Sequence, residues 1–293
     1  MASSQRAACL NQLTSLARSP NEQGDYAASL LDKERDIEVV LAALAVLAAR
    51  EDVRFRPVLL RKYQYCDHNG VRRDPGGSVR IAVLRALRPI APHDDIPLLE
   101  RVVSTYEFLY GEAAGDLRAI ALLLLNEVAP DLAGYHAVRL LVDEYTSMMS
   151  GEPAVTAVRV LAAQHQFPSV YGFVMQPQPR PGEVAESLRS LTTIPSSLLP
   201  AVVEKYGPSE DEVVLLGLFD LLLTHEARPA YLRFMLEFLP TTSRYNIYRY
   251  LLIVLITSDD AVVMTQVEAM AEAEEDSYKV DIWRDVMALR SST

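Results

Sequence analysis

Apolar positions recur at helical spacing along most of this chain. Ile37, Val40, Leu41, Leu44, Leu47 and Ala48 share one face at 3.6 residues per turn. So do Val79, Ala82, Val83, Ala86, Leu87 and Ile90, and again Leu117, Ile120, Ala121, Leu124, Leu125 and Val128. Alternation with a period of two is almost absent, so the pattern predicts helices and no sheet. Asp36, Ser78, Asp116 and Ser209 stand just ahead of apolar runs, where a short polar side chain can accept the free N–H groups of a first turn. Pro57, Pro75, Pro92, Pro130, Pro168, Pro208 and Pro240 punctuate the runs.

The amphipathic segments also repeat. Val79-Arg80-Ile81-Ala82-Val83-Leu84-Arg85-Ala86-Leu87 closes on Ile90-Ala91-Pro92, and 38 residues later Leu117-Arg118-Ala119-Ile120-Ala121-Leu122 closes on Val128-Ala129-Pro130. Another 38 residues on, Val155 to Ala162 keeps the apolar pattern without the proline. The run at Ile37 lies upstream, preceded by a unit opening near Ala8 and Cys9, and starts near Val184, Val213 and Ile247 continue downstream. About eight units result. Each reads as an amphipathic first helix and a more aromatic, charged second helix, as over Leu98 to Tyr110 and Ala137 to Met149. One such pair cannot bury its own apolar stripe, so pairs must stack into a continuous core.

The repeat length, the helix–turn–helix plan and the Val-Arg-x-Ala-x-x-Ala-Leu style of first helix resemble HEAT repeats. The resemblance covers about Ile37 to Ala271 and is closest over Ile37 to Ala162. It implies an all-α, right-handed superhelical α-α solenoid, here a single domain over residues 1–293. Such proteins typically act as curved scaffolds gripping peptides, proteins or, in some branches, nucleic acid. No catalytic motif comes with the resemblance. Residues 168–182 depart from it: Pro168, Pro177, Pro179 and Pro181 cut a second helix short and favour an extended surface loop. If the chain were instead two independent helical domains, the boundary would fall there.

Composition changes the picture little. Of 293 residues 50% are apolar and 23% charged, enough apolar surface to offset chain entropy. The polar start carries no secretory signal, and the longest apolar run, Val39 to Ala49, is too short to span a membrane. A cytoplasmic monomer is the default expectation. Charge is more informative. The net −11 is uneven: Arg50 to Arg88 holds ten basic and four acidic groups, whereas Asp259 to Asp285 holds nine acidic and two basic. The first stretch is a basic shoulder able to steer a partner. The second, with Glu272, Glu274, Glu275 and Asp276, belongs to an acidic C-terminal cap over 259–293 of the kind a repeat stack requires.

Candidate chemistry is sparse. Cys9 and Cys66 cannot build a disulfide framework or a cysteine zinc site, and the five histidines are far apart. Cys66 and His68 end a predicted helix, where adjacency alone makes no reactive dyad. His93-Asp94-Asp95 and Asp259-Asp260 read as helix-start turns. Gly76-Gly77 does the same work ahead of Ser78, and neither a Walker sequence nor a dinucleotide fingerprint occurs. No catalytic residue, metal or cofactor is expected.

The expected function is a non-catalytic scaffold binding a protein or peptide on a concave face lined by second helices. Arg61, Tyr65, Arg101, Tyr106, Arg139 and Tyr145 would project from neighbouring repeats, since Tyr and Arg favour interface hot spots. Arg54, Arg56, Lys62, Arg72 and Arg73 would make the N-terminal part of that face positive. The alternative is a nucleic-acid binder, or a protein resembling the alkylated-base DNA glycosylases of the HEAT type, using the same basic shoulder. An acidic chain whose one tryptophan, Trp283, reads as a core anchor makes nucleic acid the less favoured partner.

Overall fold

The computed structural model describes residues 2–90, 93–108, 111–177, 180–257 and 261–290. The expectations at Ala91, Pro92, Tyr110, Pro179, Asp259 and Asp260 lie outside the described residues. Within them the chain forms eighteen α-helices and no strand. They are α1 (Ala2–Ser15), α2 (Pro20–Lys33), α3 (Ile37–Ala48), α4 (Arg56–Asp67), α5 (Gly70–Arg73), α6 (Ser78–Leu87), α7 (Ile96–Val102), α8 (Gly115–Val128) and α9 (Pro130–Leu141). Then follow α10 (Ala154–Ala163), α11 (Phe167–Val174), α12 (Pro181–Ser190), α13 (Leu199–Tyr206), α14 (Glu212–Thr224), α15 (Arg228–Thr241), α16 (Tyr245–Ile256), α17 (Ala261–Glu272) and α18 (Ser277–Arg290). No described helix is long and apolar enough to cross a membrane.

Residues 1–165 and 166–293 make two compact units. In the first, α1, α3, α6, α8 and α10 pack each on the next. The second helices lie beside them: α2 on α1 and α3, α4 on α6, α7 on α8, and α9 between α8 and α10. In the second unit α12, α14, α16 and α18 pack in series, with α11, α13, α15 and α17 alongside. Of the faces read from the sequence, Val40, Leu44, Leu47, Val79, Val83, Ala86, Leu87, Ile90, Leu117, Ala121, Leu124 and Leu125 are buried, whereas Ile37 is exposed and Leu41, Ala48, Ala82, Ile120 and Val128 are only partly covered.

Helix ends differ from the sequence reading where side chains compete for them. The second helix expected to reach Tyr110 stops at Val102, and the one expected over Ala137 to Met149 spans Pro130 to Leu141 instead. Proline in a first turn loses no intrahelical bond, so Pro130 opens α9, and Pro168 and Pro181, expected to cut a helix short, instead stand second in α11 and first in α12. Asp36 caps α3, accepting the N–H groups of Glu38 and Val39 at 3.1 and 3.3 Å. At α14 the cap is Asp211 rather than Ser209. Ser78 and Asp116 lie inside their helices, and Asp74 takes over at α6, accepting from the Val79 and Arg80 N–H groups at 2.9 Å each. Gly76 and Gly77, at φ of 75° and 74°, fold the chain back far enough for that carboxylate to reach.

The tightest approach in the second unit joins α12 and α14. A Cβ on Gly217 would fall 2.6 Å from the Ala185 Cα and 2.7 Å from its carbonyl oxygen, both backbone atoms that cannot swing aside. Gly217→Val is therefore expected to destabilise this unit by about 1–3 kcal/mol through overpacking. Urea unfolding followed by circular dichroism checks this, and an unchanged midpoint would refute the close packing.

Candidate functional site

Two side chains with no exposed surface organise the edge where each second helix hands over to the next first helix: Arg80 and Arg118. Arg80 holds Glu107 with a two-pronged grip, Nη1 to Oε1 at 2.6 Å and Nη2 to Oε2 at 2.7 Å. Its Nε meets Asp74 Oδ2 at 3.1 Å and its Nη1 lies 3.6 Å from Asp67 Oδ1. Arg118 donates to the Thr105 carbonyl and to Glu112, both at 3.0 Å, with its Nε 3.4 Å from Asp143. The two share one plan. The loop acid sits six residues earlier (Asp74, Glu112), a partner at or just past the end of the preceding second helix thirteen earlier (Asp67, Thr105), and a carboxylate follows beyond the next second helix (Glu107, Asp143). Burial opposes charge on Arg80, but the bonds to Glu107 and Asp74 outweigh it and hold its pKa above the ordinary arginine value. Gly70 leaves the necessary room, because a Cβ there would collide with Glu107 Oε1 and lie 2.7 Å from both terminal nitrogens of Arg80.

A second device ties the helix ends. Lys62, buried on α4, donates to the carbonyls of Leu31 and Glu34 at the end of α2, at 2.9 and 3.0 Å. Lys205 does the same for Val174 and Gln176 after α11, and Lys279 for Leu239 and Pro240 of α15. Arg139 caps Val103 after α7 at 2.9 Å. Each places a cation on the negative end of a helix and satisfies carbonyls left without intrahelical partners. Burial lowers the Lys62 and Lys205 pKa values.

These contacts sort the residues expected to face a partner. Lys62 is a correction: its ammonium is spent inside the fold. Arg56 is largely covered and paired with Asp95, whose carboxylate was expected to cap α7 but makes no such bond. Arg54 pairs with Asp52 at 2.7 Å, Arg61 with Asp32 at 3.0 Å and Arg101 with Asp67 at 3.7 Å. Arg72 and Arg73 are exposed and come together with Tyr65. Arg35, which periodicity did not single out, joins them. Its position just ahead of the α3 cap was the available signal. The guanidiniums of Arg35 and Arg73 lie over the Tyr65 ring, 4.0 and 4.3 Å from its centroid. The result is a cleft of about 220 Å³ with Ile37, Val40 and Val79 along its apolar side.

Tyr106, Phe108 and Tyr145 form an exposed aromatic cluster around Arg118. Tyr145 meets Tyr106 and Phe108 edge-on, at centroid distances of 5.7 and 5.2 Å. Arg118 lies over the Tyr106 ring at 4.2 Å, and Tyr106 Oη donates to Asp143 at 3.0 Å, so the buried network holds this cluster in place. Exposed Val142, Met148 and Met149 adjoin it in sequence. A groove of about 500 Å³ crosses α3, α6, α8 and α10, with Leu41, Ile81, Arg85, Ile120, Leu123 and Arg159 on its walls. It belongs to first helices, whereas the expected docking face was assigned to second helices, because the first helices pack directly on one another. The thiol of buried Cys66 has its pKa pushed up, mainly by burial, and His68 stands in solvent. Among the described residues no set of three His, Cys, Asp or Glu side chains is placed to hold a metal ion. Comparison with protein-family models, curated proteins and solved structures finds no match.

Arg80→Met leaves Asp74 and Glu107 facing each other without their counter-charge, and should cost about 3–5 kcal/mol of unfolding free energy. Arg61→Ala, which breaks an exposed pair, should cost no more than about 1 kcal/mol. Denaturant titration of both variants tests the contrast, and similar losses would contradict it. The Asp95 carboxyl supplies a pH test. Burial raises its pKa above the ordinary 3.8 despite the Arg56 charge, so the folded state binds this proton more tightly than the unfolded state. Its contribution is present below 3.8 and is lost as pH rises through the native value. Relative to Asp95→Asn, the wild type should therefore gain stability on acidification, as measured by unfolding at a series of pH values.

Proposed function

We propose that the chain is a non-catalytic interaction scaffold of HEAT-like helical pairs that binds a protein or peptide partner. The docking surface is the edge carrying Tyr65, Tyr106, Phe108 and Tyr145. One observation carries this reading: three exposed aromatic rings, Tyr145 meeting both Tyr106 and Phe108, stand on the buried Arg118 network. Large amphipathic side chains held in one arrangement lose little freedom on binding, which is what interface anchors require. Duplex binding is the less supported reading, because Arg54, Arg56, Arg61 and Arg101 already sit against carboxylates of the same chain. A partner's phosphates would have to displace them.

The test is capture from an extract of the source cells. A partner retained by the wild-type protein should be lost with Phe108→Ser and Tyr145→Ser, while both variants unfold within about 0.5 kcal/mol of wild type. Equal capture by all three would overturn the assignment of this edge. Titration with duplex DNA at low salt should give no binding, and tight binding that weakens steeply with salt would turn the reading to nucleic acid.

A further inference from the structure

The edge contains two sites of like chemistry in different states. At Tyr106 a guanidinium covers the ring, and a carboxylate completes the group: Arg118 lies over the ring, and Asp143 takes a hydrogen bond from the Tyr106 hydroxyl and the charge of Arg118. At Tyr65 two guanidiniums, Arg35 and Arg73, cover the ring, Arg72 adds a third to the same cleft, and the carbonyl-bound Lys62 lines its floor. No carboxylate of the described residues lies within ion-pairing distance of these three arginines. The acids nearest in sequence are engaged elsewhere: Asp32 with Arg61, Asp36 with Arg6, and Asp67 and Asp74 with Arg80. Glu34 accepts from Gln5 at 3.2 Å.

We propose that the Arg35–Tyr65–Arg72–Arg73 cleft binds a carboxylate side chain of an acidic peptide segment in a partner protein. The occupant supplies from outside what Asp143 supplies at the neighbouring site. Arg73 donates one Nη1 bond to the Tyr65 carbonyl at 2.7 Å, which holds it beside the ring; its remaining donors and those of Arg35 are charge-assisted partners for a carboxylate's oxygens. Exposed Ile37, backed by the buried Val40 and Val79, receives the aliphatic stem. A cleft of about 220 Å³ admits one side chain of an extended peptide and not the evenly spaced phosphates of a duplex. The inference rests on the scaffold reading above and gives that partner its charge.

The experiment is fluorescence anisotropy of a labelled oligoglutamate peptide against the full chain at low salt, with an oligoglutamine peptide as the neutral control. Oligoglutamate should bind and oligoglutamine should not. Arg35→Gln and Arg72→Gln should each weaken binding about tenfold, the loss expected for one charge-assisted contact. Arg72 makes no contact that holds the fold, so its variant remains informative if Arg35→Gln unfolds. Arg61→Gln, outside the cleft, should change nothing.

Absence of binding, or equal weakening by Arg61→Gln, would overturn the site. Tighter binding of a phosphoserine peptide or of duplex DNA would overturn the carboxylate assignment. Self-association of the chain that disappears with Arg72→Gln would instead make a second copy the occupant. If peptide binding fails while capture through Phe108 and Tyr145 persists, the cleft is wrong and the scaffold reading stands.

Discussion

A guanidinium taken out of water costs several kcal/mol unless its donors are met and its charge is balanced, and Arg80 has no exposed surface at all. Its needs are met only when three stretches of chain are in place together: the Asp67 end of α4, the Asp74 turn, and Glu107 beyond α7. Arg118 makes the same demand of Thr105, Glu112 and Asp143. Apolar packing alone would tolerate a helix sliding by a fraction of a turn along its neighbour. A forked ion pair does not, because its hydrogen bonds fail within a few tenths of an ångström. The buried arginines therefore fix the register of successive helical pairs in the first unit, and the glycines at 70, 76 and 77 make that geometry sterically possible.

The exposed aromatic cluster follows from this constraint. Tyr106 stacks under Arg118 and binds Asp143, so a ring that stands partly in solvent is anchored by groups that do not. Tyr145 and Phe108 then pack on it. The Tyr65 ring is covered by guanidiniums that pair with no carboxylate among the described residues. The basic helix-capping side chains act in the same direction. Lys62, Arg139, Lys205 and Lys279 each pin the carbonyl end of an earlier helix, and the buried Lys62 and Lys279 are thereby withdrawn from any partner.

The basic shoulder shows how charge on a sequence and charge on a surface part company. Ten cations between Arg50 and Arg88 read as one positive field. In the structure most of them neutralise acids or cap helices; Arg50 bonds Gln23, Arg85 lines the first-helix groove, and Arg72 and Arg73 line a narrow cleft completed by Arg35 from outside that stretch. An extended stripe for a nucleic-acid backbone and a socket for a single anionic side chain have the same composition. They differ in which carboxylates lie within about 4 Å, and pairings across 27 to 39 residues set that distance.

Much of the helical architecture was legible from the sequence, because burial on one face of a helix imposes a 3.6-residue period that survives whatever the helix packs against. The runs at Ile37, Val79, Leu117 and Val155 are helices, and Asp36 caps the first of them as its position suggested. The repeated Arg80 and Arg118 were also visible as a pattern, though nothing local marks an arginine as buried rather than solvated. Tertiary structure decided the rest: where α7 and α9 end, that Asp74 and Asp211 do the capping, that Lys62 turns inward, and that Arg35 meets Tyr65. The physical reason is range. Apolar periodicity is enforced one turn at a time, whereas the fate of a polar side chain depends on which distant donor or acceptor the packing of neighbouring helices brings to it.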